Sequence, residues 1–122
     1  MSIHHIAILV HDLEAAEAFY TGIAGLSVER RWKADDGLER SVWLVSGETR
    51  VMLERADAEA AARASRGPGW HLIAFEIQSA DLEKMRTRLQ ANDCFVRESE
   101  HTLYAMDPEG NQVAFSCFPP GS

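Results

Sequence analysis

The feature that most constrains this chain is an internal repeat. Residues 4–10 (HHIAILV) and residues 71–77 (HLIAFEI) are short apolar runs that begin with a histidine, offset by 71 − 4 = 67 positions. Each run leads into the sequence Asp-Leu-Glu, at Asp12 and at Asp81, which is typical of a helix start. Because the same pieces recur in the same order, the sequence predicts two copies of one structural unit.

Each copy also closes with a similar strand. The run 51–54 (VMLE) matches the run 113–116 (VAFS), offset by 113 − 51 = 62 positions. Alternation, turn residues and helical spacing together predict the order βαβββ in each copy. The predicted strands are 3–10, 26–33, 39–46, 49–55, 70–77, 94–97, 102–106 and 112–118, with the helices beginning at Asp12 and Asp81. The chain is therefore predicted to be a single domain of two units, 1–55 and 70–118, joined by 56–69, in which 56–66 forms an exposed helix or a mobile linker.

Composition excludes several classes of partner. The chain has 122 residues, is 46% hydrophobic and carries a formal net charge of −7. Such a chain can bury a core, but it lacks the clustered Lys and Arg that nucleic acid or an anionic membrane surface requires. Cys94 and Cys117 form no CxxC pair, which favours two reduced thiols. With neither a signal-peptide pattern nor an apolar run of spanning length, the chain is expected to be cytoplasmic.

These motifs resemble those of the vicinal-oxygen-chelate superfamily, which includes glyoxalase I, extradiol dioxygenases, and bleomycin- and fosfomycin-resistance proteins. The resemblance is carried by the stretches 4–20, 69–77 and 107–118, and the Asp-Pro-Glu-Gly-Asn turn at 107–111 is its most specific piece. It implies an α+β fold in which the two βαβββ units form a curved, eight-stranded mixed sheet. In such a fold the concave side is a ligand cup, the convex side carries the helices, and small members form homodimers.

Strand alternation assigns side chains to the two faces of the predicted sheet. The apolar Ile6, Ile8 and Val10 are expected beneath the first helix, which directs their neighbours into the cup. By this rule and by the repeat, the candidate ligand-binding residues are His5, Leu9, Met52, Glu54, Leu72, Glu76, Ala114 and Ser116. Trp43 and Tyr104 lie on bordering strands and are also candidates, although alternation does not fix which face they occupy.

The resemblance also identifies the positions that hold the metal in metal-dependent members. These positions are His5, Met52, Leu72 and Ala114. Only His5 has a side chain that binds a hard or borderline divalent ion, so no metal cofactor is expected. A displaced metal held by His5 with Glu54 or Glu76 is the alternative. His4 and His71 are expected on the helix side, as packed or hydrogen-bonded structural residues rather than ligands.

Two function classes follow from the predicted cup. Apolar walls with a few polar groups are typical of a small-molecule site, which favours a metal-independent protein that binds an apolar or aromatic ligand, as the bleomycin-resistance branch does. The alternative is an enzyme of lyase, isomerase or dioxygenase type, in which His5 and Glu76 would act as acid and base. The sequence leaves open whether a reaction is catalysed.

Overall fold

The structure is a computed structural model that describes residues 1–61 and 67–119. The chain divides into two compact units, Met1–Arg63 and Ala64–Ser122. Each unit contains one helix and one four-stranded mixed sheet, which confirms the predicted α+β class and the order βαβββ. No helix in the described ranges is long and apolar enough to cross a membrane.

The first unit builds its sheet in the order β1-β4-β3-β2. Its elements are β1 (Ile6–Val10), α1 (Leu13–Gly22), β2 (Ser27–Lys33), β3 (Glu39–Ser46) and β4 (Thr49–Arg55). The strands β1 and β4 are parallel, and the other pairs are antiparallel. Helix α1 packs on β3 and β4, where Val42, Leu44, Val51 and Leu53 are fully buried. Since these four side chains alternate along their strands, the sheet has one face under the helix and one face away from it.

The second unit repeats this plan with the strand order β5-β8-β7-β6. Its elements are β5 (Ile73–Glu76), α2 (Leu82–Ala91), β6 (Phe95–Glu98), β7 (Thr102–Met106) and β8 (Gln112–Ser116). Helix α2 contacts β6 and β7, and Leu89, Leu103, Val113 and Phe115 form the centre of its core. The thiols of Cys94 and Cys117 are both free, the first half-buried and the second buried.

Strand register confirms the internal repeat. Ile6 is paired with Val51 in the first unit, and Ile73 is paired with Val113 in the second. The sequence offset of 67 for the opening strands relates Ile6 to Ile73. The offset of 62 for the closing strands relates Val51 to Val113. The two copies therefore agree residue by residue across the parallel pair of each sheet.

The helix starts differ between the copies. The Asp12 carboxylate accepts a hydrogen bond from the Ala15 backbone N–H at 2.9 Å, as expected of an N-cap. Asp81 also directly precedes its helix, but it ends a turn of 3-10 helix, Ser79–Asp81, and its side chain makes no capping hydrogen bond.

The largest departures from the predicted elements lie at strand ends and in the connection. Strand β5 covers Ile73–Glu76 rather than 70–77, and β1 begins at Ile6 rather than at residue 3. The described part of the connection, 56–61, contains no helix, so the helical alternative is wrong there, and 62–66 lies outside the described residues. The limits 56–69 given to the connection stay a prediction.

Candidate functional site

The candidate site residues lie on the sheet faces that point away from the helices, here called the open face of each unit. Contacts between side chains of the sheet and of the helix identify the other face, the one beneath the helix, independently of burial. Arg31, opposite Val42, donates to Glu17 of α1, and Glu98, opposite Leu103, accepts from Arg86 of α2 at 2.9 Å. The residues next to these along each strand therefore belong to the open faces.

One row of paired residues crosses all four strands of the first open face. The row runs Ala7, Met52, Trp43, Arg30, each being the Cα partner of the next. Trp43 and Met52 are half-buried, whereas Ala7 and Arg30 are exposed. The row thus presents apolar and aromatic surface at its centre and a guanidinium at its edge.

A second row, parallel to the first, is more polar. It runs Leu9, Glu54, Ser41, Trp32, again through direct Cα partners. Leu9 is 56% exposed and Trp32 is 52% exposed, so both ends of the row offer apolar contact area. The Glu54 carboxylate lies 3.7 Å from the Arg40 guanidinium, which partly neutralises its charge.

His5 lies beside Trp43 on the first open face. The two ring centroids are 4.6 Å apart in an edge-to-face arrangement, and His5 Nδ1 lies 2.9 Å from His4 Nδ1, so one of the two imidazoles donates to the other. His4 and His71 are both exposed, so neither is packed beneath a helix, whereas His4 is hydrogen-bonded, which was the other form of the prediction.

The second open face repeats the first row. It runs Ala74, Ala114, Tyr104, Arg97, through direct Cα partners. The Arg97 guanidinium carbon lies 3.8 Å from the centroid of the Tyr104 ring, a close cation–π contact. Leu72 is half-buried and lies just before β5, two residues from Ala74.

The neighbouring row of the second face is built from hydroxyl groups and a carboxylate. Glu76 is the partner of Ser116, which is in turn the partner of Thr102. The Thr102 and Ser116 hydroxyl oxygens are 2.8 Å apart and share a hydrogen bond, and the Phe118 backbone N–H donates to Ser116 Oγ at 3.2 Å. These hydroxyl groups are fixed polar points beside the Tyr104 ring.

The structure thus places the predicted residues of each unit on one face. It also shows which face Trp43 and Tyr104 occupy, which alternation alone did not decide. Trp43 and Tyr104 both lie on open faces, at equivalent places in the repeat. Sequence reasoning did not single out Arg30 and Arg97, which end the two rows. A signal for them exists, because their spacing, 97 − 30 = 67, equals the offset between the opening strands.

Of the four positions that the family resemblance assigns to a metal, only His5 has a side chain that binds a hard or borderline divalent ion. A thioether, an isobutyl group and a methyl group, from Met52, Leu72 and Ala114, stand where imidazole or carboxylate ligands are needed. Among residues 1–61 and 67–119, no three His, Cys, Asp or Glu side chains are grouped so that they could hold an ion.

The resolved pKa shifts belong to groups outside the rows. Arg31 donates hydrogen bonds to Glu17 and Arg86 donates to Glu98, which raises the pKa of both arginines, and both pairs connect a sheet to its helix. Burial raises the pKa of the half-buried Cys94 thiol, because a less polar environment disfavours the thiolate.

Solved structures with the same fold cover nearly the whole chain. The fosfomycin resistance protein FosX from Mesorhizobium loti superposes with a TM-score of 0.78 at 17% identity, covering 95% of this chain and 90% of that one. A glyoxalase-like protein from Bacillus halodurans gives a TM-score of 0.78 at 18% identity, with 93% of each chain covered. Lactoylglutathione lyase from Agrobacterium tumefaciens gives a TM-score of 0.66 at 25% identity, covering 94% of this chain and 92% of that one.

Sequence comparison supplies the family. No curated protein matches the chain in sequence. The sequence model of one superfamily, in contrast, matches residues 2–115, almost the full length. The chain therefore belongs to the Glyoxalase/Bleomycin resistance protein/Dioxygenase superfamily.

Proposed function

We propose that this protein binds a small, largely apolar or aromatic organic molecule on its open faces and does so without a metal ion. The observation that carries the proposal is the row Ala7, Met52, Trp43 with His5 beside it, a surface of apolar and aromatic groups with few polar points. Small-molecule sites have this composition. Leu9 and Ala74 extend the same apolar surface in their respective units.

The chemistry of the metal positions supports the metal-independent part of the proposal. His5 alone cannot replace the water shell of a divalent ion. A displaced site with Glu54 is disfavoured by distance, because Glu54 is opposite Leu9, four residues from His5, or about 13 Å along the strand. The Glu54 carboxylate already faces Arg40.

The first experiment measures metal content by elemental mass spectrometry on protein purified without chelator or affinity tag. We expect substoichiometric metal, also after incubation with nickel, zinc, manganese and iron salts. Near-stoichiometric metal that is lost in His5→Ala would contradict the metal-independent reading. It would favour the alternative, an enzyme of lyase, isomerase or dioxygenase type.

The second experiment screens small aromatic compounds by tryptophan fluorescence. We expect saturable quenching that is lost in Trp43→Phe, because Trp43 lies at the centre of the open-face row, but kept in Trp70→Phe. Trp70 is a suitable control because it is 95% exposed and lies outside the strands. Saturable quenching that survives Trp43→Phe and disappears in Trp70→Phe would place the ligand elsewhere.

We further propose that the protein forms a homodimer, as the family resemblance implies, and that it is cytoplasmic.

A further inference from the structure

We propose that the ligand of the open faces is a flat organic monoanion, an aromatic carboxylate, held in the first unit by the guanidinium group of Arg30 and in the second unit by that of Arg97. The inference rests on the proposed function and specifies its ligand class. What carries it is the juxtaposition, in each unit, of an aromatic ring and an arginine that no carboxylate of the described chain neutralises.

The two arginines occupy equivalent places in the repeat. Arg30 is the Cα partner of Trp43, and Arg97 is the Cα partner of Tyr104. Each arginine follows a register shift in an edge strand, between Val28 and Arg30 in β2 and between Phe95 and Arg97 in β6. A bulge turns the next side chain toward the other face, so both irregularities direct an arginine onto the open face. The same device at both copies indicates a shared role rather than two stray surface charges.

The charges of Arg30 and Arg97 are unpaired, in contrast to those of other arginines. Five arginines have a carboxylate oxygen within 4.0 Å: Arg31, Arg40, Arg50, Arg55 and Arg86. Within residues 1–61 and 67–119, Arg30 and Arg97 have no such partner, although the chain holds 19 acidic residues against 12 basic ones. In a chain with excess acid, two open-face guanidinium groups without a carboxylate remain available to an external anion.

Ring contacts orient these guanidinium groups without using their donors. The Arg97 group lies 3.8 Å from the Tyr104 centroid, and the Arg30 group lies 5.5 Å from the Trp32 centroid. Stacking holds the plane of a guanidinium but leaves its N–H groups free to bind a carboxylate with two parallel hydrogen bonds. The flat surface formed by the ring and the guanidinium also suits an aromatic ligand.

The neighbouring row favours a single negative charge. Glu76 lies opposite Ser116, beside the row that contains Arg97. Its carboxylate is three strands, or about 14 Å, from Arg97 and therefore adds only a weak repulsion, which is larger for a dianion such as a phosphate monoester than for a carboxylate. The Thr102 and Ser116 hydroxyl groups are 2.8 Å apart and share one hydrogen bond, which leaves one O–H as a further donor for a carboxylate.

The test compares matched charged and neutral probes by isothermal titration calorimetry on the full chain. The probes are benzoate, 1-naphthoate and indole-3-acetate, each paired with its uncharged amide. We expect at least one carboxylate to bind at least about tenfold more tightly than its amide, the ratio that one charge-assisted hydrogen-bonded pair supports. The double variant Arg30→Gln/Arg97→Gln should lose this preference, whereas Arg50→Gln/Arg86→Gln, which removes the same charge from paired arginines, should keep it.

The outcomes separate this inference from the proposed function. Equal binding of carboxylate and amide, or a preference that survives Arg30→Gln/Arg97→Gln, overturns the inference and leaves the proposed function standing. Binding of no probe at its solubility limit overturns both. Arg30→Lys/Arg97→Lys guards against a folding defect, because it retains the charge and should recover part of the preference in a folded protein, as monitored by circular dichroism.

Discussion

Asp107 shows how much a single residue can contribute to a loop in this molecule. It is 4% exposed, and its carboxylate accepts three hydrogen bonds. Two come from the backbone N–H groups of Glu109 and Asn111, at 2.9 and 2.8 Å, and one comes from the Asn111 side-chain amide at 3.0 Å. The turn between β7 and β8, and with it the position of Ala114 and Ser116 on the open face, therefore depends on this carboxylate.

We expect Asp107→Ala to destabilise the protein by about 3 kcal/mol, because it removes a buried, charged acceptor to which the half-buried residues Glu109 and Asn111 donate. Asp35→Ala is the matched control, since Asp35 is an exposed aspartate in another turn, and its effect should stay within about 0.5 kcal/mol. Urea unfolding followed by circular dichroism gives both values. Equal midpoints for the two variants would mean that the carboxylate of Asp107 does not hold the turn.

At the scale of elements, the two helix starts allow a comparison within one chain. Asp12 and Asp81 occupy equivalent positions before α1 and α2, yet only Asp12 accepts a capping hydrogen bond. We expect Asp12→Ala to lower the free energy of unfolding by about 1 kcal/mol, the usual value of an N-cap. Asp81→Ala should cost only a few tenths, since near a helix start it contributes only through its charge.

The same urea titrations test this pair. A loss for Asp81→Ala as large as that for Asp12→Ala would show that the Asp81 side chain caps α2 in solution. The comparison is informative because both substitutions remove the same carboxylate at the same place in the repeat.

The sequence predicts some elements well because residues close by in the chain determine their boundaries. The hairpin of β3 and β4 lies at 39–46 and 49–55 as predicted, and β7 lies at 102–106, since turn residues flank alternating runs there. The sequence predicts strand β5 too long, because the run of apolar residues extends beyond the part of the chain that pairs with β8. The ladder joins Ile73–Glu76 to Val113–Ser116, and Trp70 is exposed before it begins.

Bulges explain why the arginines of the site could not be placed from sequence. Val28 is paired with Leu44 on the helix face, so simple alternation would put Arg30 on that face as well. The register shift at Glu29 instead brings Arg30 opposite Trp43. The same holds for Phe95 and Arg97. Alternation rules assume one residue per step, and a bulge breaks that assumption without a reliable signal in the sequence.

At the scale of the whole molecule, the indole of Trp70 is almost uncovered by the described residues of its own chain. Trp70 follows Gly69 and is 95% exposed. Burying an indole removes about 150–250 Å² of largely apolar surface from water, which stabilises the complex by a free energy on the order of 4 kcal/mol. A second copy of this chain that covers Trp70 would gain this free energy, which gives the proposed homodimer a specific contact to test.

We expect the protein to sediment at twice the mass of one chain at micromolar concentration, and Trp70→Ser to weaken the dimer by at least about tenfold. Leu38→Ser is the control, because Leu38 is also an exposed apolar residue, at 56%, but lies in the turn between β2 and β3. Sedimentation equilibrium over a range of concentrations gives the dissociation constants. A wild-type monomer would contradict the homodimer itself. A dimer that Trp70→Ser leaves intact would instead show that the interface forms elsewhere, since a partner that buries an indole cannot lose it without losing affinity.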